Sequence, residues 1–178
     1  MPTARPAPPF LFPAGVELLR ELGSGTRDRA PHTRLFVARR QLSRATRVTN
    51  EEELVDVATD HGFVEIKPEQ LPYTEQLRRF SEAEIVVGPH GSGLANAIFM
   101  APGTGLCELA PAGLHAEKVP NFWNLAACGR QRYGLCIASG SRVDPKRFRR
   151  VIRDMIRSAR HEPSRILPAM TLGQAQKA

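Results

Sequence analysis

Apolar positions along the chain fall into runs of two alternating kinds. Ala14–Leu22 (AGVELLREL) repeats them at helical spacing, whereas Arg34–Ala38 (RLFVA) is the short continuous run of a buried strand. The polar, glycine-containing stretch Gly23–Thr33 between them reads as a loop. A second helix starts after Asn50, with Glu53 placed to complete a capping box, and Gly62 supplies a left-handed stop after His61. Phe63–Ile66 makes a second strand, and Pro72 opens a helix with Tyr73, Leu77 and Phe80 along one face. Glu84–Val87 is a third strand. It runs into the glycine-rich turn Gly88–Asn96 (GPHGSGLAN), which opens a short helix through Ala97–Met100, closed by Pro102-Gly103. Leu106–Leu109 and Tyr133–Ala138 complete the strands. The helix Asn121–Cys128, stopped by Gly129, separates them, and a last helix runs from Asp144-Pro145 to about Arg160.

Strands regularly separated by helices predict an α/β fold: a Rossmann-like, doubly wound, mostly parallel sheet covered on both faces. The expected organisation is a tail at 1–12, one domain over 13–160 and a flexible tail at 161–178.

Composition narrows the class. A chain of 178 residues, 42% hydrophobic and 24% charged, suits one globular domain. No run approaches the roughly 18 to 20 apolar residues of a membrane span, and Met1–Pro9 lacks a secretory apolar core. Three cysteines, Cys107, Cys128 and Cys136, without paired spacing argue against a disulfide framework or a zinc site. The expected location is cytoplasmic, peripheral to the inner membrane at most. A net charge of +7 points to anionic partners.

The turn after the third strand carries the candidate chemistry. Ligands of open parallel sheets sit beyond the carboxyl ends of the strands, and glycines there permit close backbone approach. Helix-opening N–H groups favour an anion, so Gly91, Ser92 and Gly93 form a candidate phosphate site. Known phosphate motifs fit poorly. Leu94-Ala95 stands where a P-loop needs Lys-Ser/Thr, and Asn96 replaces the third glycine of the dinucleotide fingerprint. Ser92 lacks the spacing of a hydrolase elbow. The plainer alternative is that these glycines only close a tight turn, and a lone turn histidine such as His90 is more often packed than catalytic.

The collinear set LFVAR (35–39), RVTNEEEL (47–54), HGF (61–63), QLRRFSEA (76–83), IVVGPHGSGLAN (85–96) and FMAPGTGLCEL (99–109) resembles glycosyltransferase family 61. That family includes bacterial capsular-polysaccharide-type enzymes, plant xylosyl- and arabinosyltransferases and animal O-linked N-acetylglucosaminyltransferases. The resemblance covers 10–138. It implies one half of a GT-B architecture, namely the carboxy-terminal domain that binds the nucleotide sugar. It also implies inverting, metal-independent transfer from a UDP-sugar to a glycan or polysaccharide acceptor.

By the same resemblance, Arg39 and Arg47 would neutralise the donor diphosphate, a task suited to guanidinium forks. His90 would donate to the same phosphates and is the candidate catalytic residue. Gly91, Ser92, Gly93 and Asn96 would complete the donor site. Glu108 would accept from the ribose hydroxyls or else pair with a nearby arginine. Asn50, Glu53 and Gln76 would be structural. No metal or other cofactor is expected. Where the family commonly has GAGLTN this chain has GSGLAN, which removes a hydroxyl near the phosphates, and Thr46 precedes Arg47 where a second arginine is common; Arg40 or Arg44 could compensate. A whole acceptor-side domain is not evident before the first strand. The expectation is therefore a fragment, a split subunit or a donor domain alone, not efficient in transfer by itself, with an acceptor-domain partner or a homodimer as its assembly.

Lys146–Arg160 (KRFRRVIRDMIRSAR) aligns Phe148, Val151, Ile152, Met155, Ile156 and Ala159 on one face and arginines on the rest. This suits a terminal helix with a solvated basic face, or one attracted to an anionic membrane or an acidic polysaccharide. Nucleic acid is not expected, because aromatic stacking residues are few and no nucleic-acid motif occurs. The alternative function is a catalytically silent Rossmann-like module that pairs with another chain.

Overall fold

The computed structural model describes residues 13–24, 30–39, 48–112 and 120–161. The tail expected at 1–12 lies outside them, as do 162–178 of the tail expected at 161–178 and Arg40, Arg44 and Arg47; His161 is the last residue of the final helix. In chain order the elements are α1 (Pro13–Ser24), β1 (Thr33–Val37), α2 (Glu51–Thr59), β2 (Phe63–Ile66), α3 (Tyr73–Ser81) and β3 (Ala83–Pro89). A 3-10 helix (Ser92–Phe99), β4 (Gly105–Ala110), α4 (Pro120–Cys128), β5 (Arg132–Ile137) and α5 (Pro145–His161) follow.

The five strands form one sheet in the order β2-β1-β3-β4-β5, and every neighbouring pair is parallel. The fold is thus the expected Rossmann-like α/β layer. Side chains alternate across the sheet, as the pleat requires. Phe36, Ala38, Ile85, Val87, Cys107 and Leu109 pack with α2 and α5, while Leu35, Val37, Val86 and Leu106 pack with α1, α3, α4 and the 3-10 helix. Both sheet faces are covered, which explains why the strands read as unbroken apolar runs. The chain leaves β1 towards one edge and β3 towards the other, so the order reverses between these two central strands. That switch point is where an open α/β sheet leaves a crevice.

Four local expectations are corrected. Asn50 does not close a capping box: its amide donates to Val143 O and Glu53, and its Oδ1 accepts from Val143 N. This contact, across a separation of 93 residues, ties α2 to the start of α5 and outcompetes the local cap. The left-handed residue ending α4 is Arg130 (φ 54°), not Gly129. Arg130 N bonds Ala127 O and Gln131 N bonds Ala126 O, a Schellman closure displaced by one position. Tyr73 is 63% exposed and meets Phe99 edge to face, leaving Leu77 and Phe80 as the buried face of α3. The helix after the glycine turn is 3-10 and begins at Ser92, inside the turn rather than after it. On α5, Phe148, Ile152 and Met155 are buried and Val151, Ile156 and Ala159 pack beside them, as the periodicity predicts.

Candidate active site

Arg39 follows the last residues of β1, and the turn 90–96 follows β3, so both stand at the switch point. The backbone N–H of Arg39 donates to Glu51 Oε1 (2.5 Å), which fixes where the chain leaves the strand. Its guanidinium crosses to the turn, where Nη1 donates to the His90 carbonyl. The guanidinium lies directly over Gly91: a Cβ built there would fall 1.6 Å from Nη1. Gly91 is therefore required by the arginine that packs on it.

A cavity of about 250 Å³ opens beside this contact, lined by Arg39, Pro68, Gln76, Ser92, Gly93 and Asn96 among others. The candidate residues Arg39, Ser92, Gly93 and Asn96, spread over 58 positions of sequence, thus share one wall. Asn96 is oriented by Gln76: its Nδ2 donates to Gln76 Oε1 (2.8 Å), while Gln76 Nε2 donates to Leu71 O (3.0 Å). The 3-10 helix starts in this wall, and the first N–H groups of such a helix have no partner within it. A guanidinium and helix-opening amides facing one small cavity make a favourable environment for an oxyanion.

Two other candidates sit elsewhere. Glu108, on β4, is fully buried, and both its oxygens have protein partners: His90 Nδ1 and the Tyr133 hydroxyl, which donates from β5. A ribose contact would require it to release one of them, and its partner is a histidine and a tyrosine rather than an arginine. His90 is held from several sides. Its backbone N–H donates to Leu109 O (2.9 Å), its carbonyl accepts from Arg39, and its ring forms a T with that of Phe122, with centroids 5.2 Å apart. Burial, reinforced by the carboxylate beside it, pushes the Tyr133 phenol far above its usual range, so it remains a hydroxyl donor. Arg47 lies outside the described residues.

Sequence reasoning missed Tyr133 and Phe122, since neither belongs to a recognisable motif. Their signal was only an aromatic residue on the strand or helix next to the glycine turn. Gln76 was read as structural, and its grip on Asn96 places it in the cavity wall. Among the described residues no cluster of three or more His, Cys, Asp or Glu side chains could hold a metal ion. Nor is any described helix long and apolar enough to cross a membrane.

The family model described as Glycosyltransferase 61 matches residues 1–107. The chain belongs to glycosyltransferase family 61. The match takes in Arg39, the whole glycine turn and β3, and ends inside β4 at Cys107. Family 61 membership makes this a glycosyltransferase domain, with a nucleotide sugar as the general class of donor and a glycan as the general class of acceptor. No curated protein gives a significant match to the chain.

Proposed function

We propose that this family 61 domain is the donor-binding half of a GT-B glycosyltransferase. It holds a nucleoside diphosphate sugar, with UDP as the nucleotide, for metal-independent transfer with inversion at the anomeric carbon. The observation that carries the reading is the Arg39 guanidinium held across Gly91 at the switch point, beside the opening amides of the 3-10 helix.

In such a transfer the acceptor hydroxyl attacks the anomeric carbon from the side opposite the diphosphate. The new C–O bond forms as the bond to the diphosphate oxygen breaks, that electron pair stays on the nucleotide, and the hydroxyl proton passes to a base. Negative charge grows on the leaving diphosphate, so fixed donors aimed there favour the transition state over the ground state. Arg39 supplies a permanent positive charge whose position Glu51 and His90 set through backbone groups. Ser92 and Gly93 supply backbone donors, and Asn96 a side-chain amide anchored by Gln76. A glycan or polysaccharide acceptor would approach from the open side of the cavity.

The test is calorimetric titration with UDP, other nucleoside diphosphates and their sugars in metal-free buffer, comparing wild type, Arg39→Ala and Ser92→Ala. Saturable UDP binding that falls about ten-fold or more in Arg39→Ala, and little in Ser92→Ala, is expected. Equal affinity in wild type and Arg39→Ala would remove this arginine from the mechanism. No binding across the panel would overturn the donor-site reading and favour a silent module that pairs with another chain.

A further inference from the structure

The donor reading leaves one buried ionisable group without a task. Glu108 has no exposed surface, yet it is a carboxylate facing the turn that carries the candidate chemistry. Burial of a carboxylate is unfavourable unless its oxygens are hydrogen-bonded. Here Tyr133, on the neighbouring strand, donates to Oε2, and Oε1 is left for His90 Nδ1.

We infer that Glu108 and Tyr133 are a positioning pair that fixes the tautomer of His90, with the hydrogen on Nδ1 directed inward and Nε2 left as the only ring nitrogen able to meet a ligand. An ionised carboxylate has no hydrogen to donate, so the contact with His90 requires Nδ1–H. Because the Tyr133 hydroxyl already donates to Oε2, the carboxylate presents Oε1 to the imidazole. The ring cannot turn over freely: it packs in a T with the Phe122 ring, and its backbone is pinned by Leu109 and Arg39. Among the described residues Nε2 makes no hydrogen bond, and the His90 side chain keeps 18% of its surface exposed.

This assignment rests on the donor reading and sharpens it. A neutral His90 presents a lone pair at Nε2 and cannot donate to the diphosphate. A contact with phosphate oxygen therefore needs the doubly protonated ring, with Glu108 balancing its charge. The same lone pair makes the neutral ring a proton acceptor. Glu108 and Tyr133 act only through His90.

The test is nitrogen-15 NMR of the imidazole groups in the free chain, with His90 assigned from a His90→Gln spectrum. Wild type is expected to show hydrogen on Nδ1 and a bare Nε2 in the neutral ring. Tyr133→Phe and Glu108→Leu are expected to shift the population towards the Nε2–H form. Tyr133→Phe should also weaken UDP binding roughly two- to ten-fold, with Glu108→Gln, which keeps an oxygen for Nδ1–H, retaining the wild-type tautomer. A wild-type His90 with hydrogen on Nε2 would overturn the inference, and this measurement stands even if the variants fail to fold. Unchanged tautomer and affinity in Tyr133→Phe would remove Tyr133 from the pair. The expected tautomer in a chain that binds no nucleotide would sink the donor reading instead.

Discussion

Replacing Gly91 with alanine isolates the contact on which the proposed donor site depends. The new methyl would stand 1.6 Å from Arg39 Nη1, 2.1 Å from Cζ and 2.8 Å from Nε. All three atoms belong to the guanidinium, the far end of a flexible side chain, so the clash is relieved by expelling Arg39 from the turn. Its bond to the His90 carbonyl goes with it. Gly91 also has φ +157°, a conformation that side chains rarely adopt, which adds about 1–3 kcal/mol of backbone strain. Stability therefore falls by about that amount, and a second effect of similar size falls on the ligand. A charged hydrogen bond contributes about 1.5–3 kcal/mol, and at about 1.4 kcal/mol per decade its loss weakens diphosphate binding about ten- to a hundred-fold.

The assay is a double-mutant cycle on UDP affinity with Gly91→Ala, Arg39→Ala and both together, with thermal unfolding measured in parallel. If Gly91 acts by making room for Arg39, each single change removes the same interaction. The double variant should then bind about as weakly as either alone, giving a coupling energy close to the single-variant loss. Two results would refute the reasoning. Gly91→Ala with wild-type affinity would show that the guanidinium works equally well elsewhere. Losses that simply add would show that the glycine serves the ligand independently of the arginine.

Three further outcomes follow from the same structure. Gly88→Ala places a Cβ 2.7 Å from the Val37 carbonyl, a backbone atom that can move only with β1; the urea midpoint should fall by the equivalent of about 1–3 kcal/mol, and an unchanged midpoint would mean that the central strands part easily. Glu75 is held down to about 2, first by its hydrogen bond from Arg78 and then by that from Arg79. Because the folded value is depressed, the contribution is complete above about 4.5 and is lost as pH falls from there to about 2. Glu75→Gln should narrow the stability difference between pH 7 and pH 3, and identical curves would show that the pairs contribute nothing. Lys146, Arg149, Arg150, Arg153 and Arg157 line an exposed groove on α5 whose apolar face is already packed on the sheet. Sedimentation with phosphatidylglycerol vesicles should thus be purely electrostatic, strong at low salt and lost at high salt. No sedimentation at low salt would leave this face as an ordinary solvated surface.

The strands were readable because both faces of the sheet are covered, which forces continuous apolar runs such as IVV at 85–87 and LCEL at 106–109. The doubly wound layer then follows from alternation alone, but the reversal between β1 and β3 does not, since order depends on pairings between distant segments. The misread cap at Asn50 shares that cause. Asn50 has a local cap available and instead bonds Val143, a partner no window around residue 50 contains. In the site, the glycine turn and Arg39 could be found because their chemistry is carried by type and position. Glu108 could be found but not understood: a carboxylate at a strand end looks the same in sequence whether it faces ribose or lies buried between a histidine and a tyrosine.

The glycines of the turn show how such a site is held. Gly88 is small because the Val37 carbonyl lies against it, and a Cβ at Gly93 would fall 2.9 Å from Val37 Cγ1. Gly91 is small because Arg39 lies across it. All three constraints therefore come from the end of β1, not from the room a phosphate would need. The turn is moulded onto its neighbouring strand, so the backbone donors that the proposed donor site would use are already oriented. A division of effects follows. Enlarging Gly88 or Gly93 should disturb the seam between the central strands and appear as lost stability. Enlarging Gly91 should displace Arg39 and appear as lost affinity as well. The small residues of the turn thus separate by what each one touches, Val37 for Gly88 and Gly93 and the Arg39 guanidinium for Gly91.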